Sequence, residues 1–157
     1  MTTTPTAPAP TSPAPTANGR TVALAFFAAR AVLEGVLTRH GLTYHQSVTI
    51  RAVVTAGGSI ARDALVADVN GSLKTDESLV RGVVDELTAG TLLEEDPADA
   101  SRLRLTEAGR ELDETTSAES AEISARLYAG IPAEDLAVAG RVLTLVTERA
   151  NAELAGA

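Results

Sequence analysis

Between Arg62 and Gly90 the chain carries two short apolar stripes at helical spacing with a polar break between them, and this pairing constrains the fold more than any other feature. Leu65, Val66 and Val69 form the first stripe, from Arg62 to Val69, and the turn dipeptide Asn70-Gly71 ends it. Leu79, Val80, Val83, Val84 and Leu87 form the second, up to Gly90. Thr75 is placed to cap that helix, and Asp76 and Glu77 suit the positive end of its dipole. Two helices joined by a tight polar turn predict a helix-turn-helix, with the second helix as the recognition element.

The flanking segments extend this unit. In TLLEEDPADASRLRLT, Thr91-Leu92-Leu93 and Leu103-Arg104-Leu105 flank a Pro/Asp/Ala tip, which predicts a two-stranded wing. Ahead of the motif, Thr43 and Gln46 form a capping box that opens a helix to about Thr55, with Val48, Ile50, Val53 and Val54 inward. Gly41 separates it from a first helix, Arg20 to His40, whose apolar residues Val22, Leu24, Phe26, Phe27, Val32, Leu33, Val36 and Leu37 recur at intervals of three and four. Thr106 caps a long helix containing Leu112, Ile123 and Leu127. Pro132, in a first turn with Glu134 and Asp135, opens a last helix with Leu136, Val142, Leu143 and Val146.

The expected fold class is therefore mainly α (α+β). Residues 1–19 form a disordered Pro/Ala/Thr-rich tail, 20–41 a dimerisation helix, 42–112 the winged helix-turn-helix, and 113–157 the C-terminal dimerisation helices. The outer helices carry apolar stripes that a second copy of the chain covers most economically, with Phe26, Phe27 and Tyr128 in the dimer core. No signal peptide or membrane span is expected, and the absence of cysteine fits a reducing cytoplasm.

Charge limits the function. The net charge is −8, and residues 42–112 hold 7 basic against 12 acidic side chains. An acidic winged helix is a poor match for a phosphate backbone. A zinc site needs three or four ligands, and with two histidines and no cysteine none is expected; nor is any cofactor.

The strings LTYHQSVTIRAVVTAGG and RDALVADVNGSLKTDESLVRGVVDELTAGTLLEEDPADASRLRLTEAG resemble the MarR family of bacterial transcription regulators. The resemblance covers most of Arg20 to Leu154 in the family's order of a dimer helix, a winged helix and two dimer helices. Its most specific parts are Leu42-Thr43 with Gln46, Val84-Asp85 and Leu87 followed by Gly90, the Asp96-Pro97-Ala98-Asp99 wing, and Leu105-Thr106-Glu107-Ala108-Gly109. It implies a cytoplasmic homodimer on a pseudo-palindromic double-stranded operator, with a cleft for a small aromatic or acidic effector. By position it implies that Ser78 and Arg81 face bases or phosphates, that Lys74 reaches the backbone, and that the wing offers Arg102 and Arg104. The chain departs from the family where Ala100 and Ser101 follow Asp99 in place of a pair of arginines, and where Glu94-Glu95 precedes the wing. DNA binding is accordingly expected to be weak or unusually salt-sensitive. Gly82 within the recognition helix costs about 1 kcal/mol of helix stability relative to alanine.

Each candidate residue has two readings. Arg102 and Arg104, two apart on one strand, either grip phosphate together or pair with Glu94 or Asp96 on a solvated face. His40, Tyr44 and His45 flank the turn between the first two helices. Imidazole titrates near neutrality, so these residues bind a ligand or perform acid–base work; otherwise His40 ends a helix and His45 faces solvent. Arg30 and Arg51 hold a ligand's carboxylate or enolate, or form surface or intersubunit ion pairs. The alternative function is a member of the family that has left DNA. It would use the cleft for ligand binding or for cofactor-independent lyase or cyclase chemistry through His45, His40 or Tyr44.

Overall fold

A computed structural model describes residues 16–156. Most of the predicted tail, residues 1–15, lies outside the described residues; Asn18 and Gly19 already belong to the start of the first helix. The elements run α1 (Gly19–Arg39), α2 (Tyr44–Thr55), β1 (Ser59–Ala61), α3 (Arg62–Leu73), α4 (Glu77–Ala89), β2 (Leu93–Asp96), β3 (Asp99–Leu105), α5 (Glu107–Tyr128) and α6 (Ala133–Gly156).

Local chemistry sets the boundaries of the helices. Asn18 caps α1, and Thr43 caps α2 with both arms of the capping box closed: Gln46 N donates to Thr43 Oγ1 at 3.2 Å, and Thr43 N donates to Gln46 Oε1 at 3.0 Å. Three helices end in the same way. After α1, Gly41 takes φ 72° and Leu42 N donates back to Leu37 O; after α2, Gly57 takes φ 87° and Gly58 N donates to Val53 O. After α4 the left-handed position falls on Thr91, at φ 57°, and Leu92 N donates to Leu87 O. A β-branched residue is poorly suited to that backbone.

The chain divides into two compact units, Met1–Asp113 and Glu114–Ala157. In the first, Leu37 and Leu42, Ile50 and Val53 of α2, Leu65, Val66 and Val69 of α3, Val80, Val83, Val84 and Leu87 of α4, and Leu93, Leu103 and Leu105 of the sheet form one buried core. The sheet is antiparallel in the order β1-β3-β2, with Ile60 opposite Leu103 and Glu94 opposite Arg104. Thr106 joins sheet to helix: its hydroxyl donates to Thr91 O at 2.7 Å and accepts from Gly109 N at 3.0 Å. Gly109 packs so closely there that a Cβ would stand 2.3 Å from Leu92 O. In the second unit, the 24-residue α6 has no buried residue.

Several sequence expectations need correction. Asn70-Gly71 does not end α3, which continues to Leu73; the turn is made by Lys74 in the left-handed region at φ 52°. Asp76, not Thr75, is the N-cap of α4, and it makes no side-chain cap bond. Val54 and Leu79 are exposed because they lie just outside the buried arcs of α2 and α4. The first wing strand starts at Leu93, since the helix-ending turn occupies Thr91 and Leu92. Pro132 precedes α6 and supplies its carbonyl to Asp135 N and Leu136 N. By length and composition alone α1 is apolar enough to cross a membrane, contrary to the expectation that no segment would be. Of its apolar residues only Val36 and Leu37 are buried, while Val22, Leu24, Phe26, Phe27 and Val32 are exposed.

Candidate nucleic-acid interface and ligand cluster

Helix α4 turns Val80, Val83, Val84 and Leu87 into the core, which leaves Glu77, Ser78, Arg81, Gly82, Asp85 and Glu86 exposed on its other side. Arg81 is held there by two carboxylates. Its Nε and Nη2 donate to Glu77 Oε1 at 2.9 and 2.7 Å, and its Nη1 and Nη2 donate to Asp63 Oδ1 at 3.2 Å. The hydrogen bonds from Glu77 and then Asp63 raise the guanidinium's pKa above its ordinary value, so it stays charged. Arg62, at the start of α3, donates to Asp85 Oδ1 at 3.0 Å. Lys74 and Ser78 are exposed, and neither side chain makes a hydrogen bond or ion pair among the described residues.

The wing also satisfies its own charges. Arg104 donates through Nε and Nη2 to its cross-strand neighbour Glu94 at 2.9 and 2.7 Å. Arg102 is turned onto β1, donating from Nε to Ser59 Oγ at 3.0 Å and from Nη2 to Ser59 O at 2.6 Å. Ser59 in turn donates to Asp96 Oδ2 at 2.5 Å. The two arginines therefore reach different partners in this arrangement. The wing tip is braced by Asp96 accepting from Ala98 N and by Asp99 accepting from the hydroxyl and N–H of Ser101. These bonds, Ser59 first for Asp96 and the Ser101 hydroxyl first for Asp99, hold both carboxyls below the usual range.

A second cluster joins α1 to α2. The Arg30 guanidinium stands 4.4 Å from the centroid of the Tyr44 ring, at cation–π distance, and its Nε donates to Glu34 Oε1 at 2.8 Å. The rings of Tyr44 and His45 meet edge-on at 6.1 Å. Arg30, Tyr44 and His45 thus form one group, in which His45 is half-buried and not the solvent-facing residue of the simpler expectation. His40 is the C-cap of α1, its N–H donating to the Leu37 carbonyl, while the Thr38 carbonyl accepts from Gly41 N–H. Arg51 is held by Asp113 at 3.1 Å. No group of three or more His, Cys, Asp or Glu able to hold a metal occurs among the described residues.

Glu94 was among the partners expected for the wing arginines, and it does pair with Arg104; the carboxylate partners of Arg30, Arg51, Arg62 and Arg81 were not named from the sequence. Glu77 with Arg81, and Arg30 with Glu34, stand four apart on a helix and were readable from spacing. Asp63, Asp85 and Ser59 reach their arginines across the fold, and sequence spacing carries no signal of that.

No protein-family model matches the chain, and no curated protein matches it by sequence. Solved structures do match. BpsR of Bordetella bronchiseptica, whose DNA binding is regulated by 6-hydroxynicotinic acid, is 25% identical, with 82% of this chain and 97% of that one aligned at a TM-score of 0.65. CouR of Rhodococcus jostii bound to p-coumaroyl-CoA is 23% identical over 81% and 87% of the two chains, at 0.66. A mutant MarR of E. coli complexed with operator DNA is 18% identical over 82% and 91%, at 0.66. These likenesses establish the winged-helix fold of the MarR regulators for this chain.

Proposed function

With the MarR fold as premise, we propose that the chain is a homodimeric, cytoplasmic transcription regulator. It binds double-stranded operator DNA weakly and responds to a small aromatic or acidic effector. The observation that carries this reading is the exposed outer face of α4, with Ser78, Arg81 and the neighbouring Lys74, set beside a braced two-stranded wing. Weakness follows from the ion pairs: Arg81 and Arg104 are neutralised by the protein's own carboxylates, and Arg102 is turned onto Ser59. The Arg30–Tyr44–His45 group supports the effector assignment, since it brings a cation and two aromatic rings together between α1 and α2. The exposed stripes of α1 and α6 support the dimer. Electrophoretic titration against the DNA upstream of the chain's own gene tests the reading. A shift at micromolar protein and low salt, lost as salt rises, is expected; no shift at low salt overturns it.

The same ion pairs favour a second reading, in which the fold has left DNA and the cluster binds or converts a metabolite by cofactor-independent acid–base chemistry through His45, with Tyr44 and His40. Turnover of metabolites from the neighbouring genes' pathway, compared between wild type and His45→Ala, separates the two. Unchanged turnover removes His45 from the chemistry.

A further inference from the structure

Arginine carries five N–H donors arranged as two forks, one formed by Nε and Nη2 and the other by Nη1 and Nη2. Planar recognition of a phosphate or a guanine edge uses a whole fork. In Arg81 both forks are occupied: Glu77 fills the first and Asp63 the second. The two carboxylates come from the two helices of the motif, Asp63 from the first turn of α3 and Glu77 from the first turn of α4. Arg62 on the same motif is bound differently, through a single Nη1 contact to Asp85, which leaves its Nε/Nη2 fork out of that pair.

We propose that Asp63 and Glu77 serve as an internal stand-in for the nucleic-acid anion, holding Arg81 in an occupied state that duplex DNA must displace. The proposal rests on the DNA-binding reading above and assigns it an autoinhibitory contact. Exposure makes the displacement feasible. The side chains of Arg81, Asp63 and Glu77 are 46%, 85% and 58% exposed, so each pair is screened by solvent and individually weak. A polyanion that adds many phosphates at once can outcompete them. Until it does, only the fraction of molecules with an open fork engages DNA through Arg81, and the apparent affinity falls by that fraction.

Fluorescence anisotropy of a labelled duplex carrying the DNA upstream of the gene, titrated at low salt with the full chain, tests the contact. Five proteins are compared: wild type, Asp63→Asn, Arg81→Ala, the two combined, and Asp76→Asn. Removing any carboxylate from this face raises DNA affinity through net charge, so the Arg81→Ala background isolates the part that passes through the fork. Asp76→Asn makes the same charge change at the start of α4 without touching Arg81. Asp63→Asn should tighten binding by about fivefold when Arg81 is present, and by less than about half of that in the Arg81→Ala background or for Asp76→Asn. Equal gains with and without Arg81, or no gain at all, overturn it while leaving DNA binding intact. Absence of binding in all five overturns the DNA-binding reading and the autoinhibitory contact together.

Discussion

The body of the winged helix and the last helix are built from similar residues and handle them in opposite ways. From Leu37 to Leu105 the chain buries valine, leucine and isoleucine side chains from four helices and a sheet in one core. Helix α6, with Val138, Val142, Leu143, Leu145, Val146 and Leu154 along its length, buries none of them, and α1 leaves Leu24, Phe26 and Phe27 outside as well. The first region is stabilised by its own side chains. The second leaves its apolar surface exposed, which is the physical basis of the proposed dimer.

The comparison breaks most sharply under core truncation. Leu65 has no exposed surface, and Leu65→Ala should cost about 2–5 kcal/mol, lowering the urea midpoint at every protein concentration. Leu143→Asp should act differently, abolishing the concentration dependence of the unfolding midpoint that a dimer shows. If Leu143→Asp lowers the midpoint as Leu65→Ala does, with no change in concentration dependence, the two regions are not distinct in the way described. Next in size is Gly109→Ala, whose Cβ would meet Leu92 O at 2.3 Å. Forcing the α5 start away from the sheet should cost about 1–3 kcal/mol by thermal unfolding.

A smaller effect, of opposite sign, is expected at Thr91. It occupies the left-handed position that glycine fills after α1 and α2, so Thr91→Gly should stabilise the protein by about 1 kcal/mol. The smallest concerns the wing. Asp96 titrates below its ordinary range because it accepts from Ser59 and Ala98 N–H. A depressed carboxyl contributes stability above the unfolded-state pKa of about 3.9, which is lost as pH falls through the folded value, so the brace is intact at neutral pH and released only in acid. An NMR titration should show the Asp96 midpoint moving up toward the ordinary value in Ser59→Ala; no movement would remove Ser59 as the cause.

Much of this fold was legible in the sequence, and the boundary of legibility is physical. Thr43 with Gln46, Thr106 and Gly41 act through neighbours three or four residues away, and the structure places their caps and turns as expected. Asn70-Gly71 misled because Leu73, packed against the core, lies beyond it, and tertiary packing carries α3 past a dipeptide that locally favours stopping. The three-residue β1 escaped notice because its strand character comes only from pairing with Arg102–Arg104 more than 40 positions away. The candidate site follows the same rule. Arg30 and Arg81 were identified, and their i,i+4 partners were available from spacing, whereas Asp63 and Ser59 become visible only once the helices and strands are assembled.

The most direct test of the central claim is sedimentation of the full chain with a labelled duplex of the DNA upstream of its gene, at low salt. The account predicts that the free protein sediments as a dimer and that a boundary containing two chains per duplex appears as protein is added. A single-chain species that leaves the duplex sedimenting alone would contradict it.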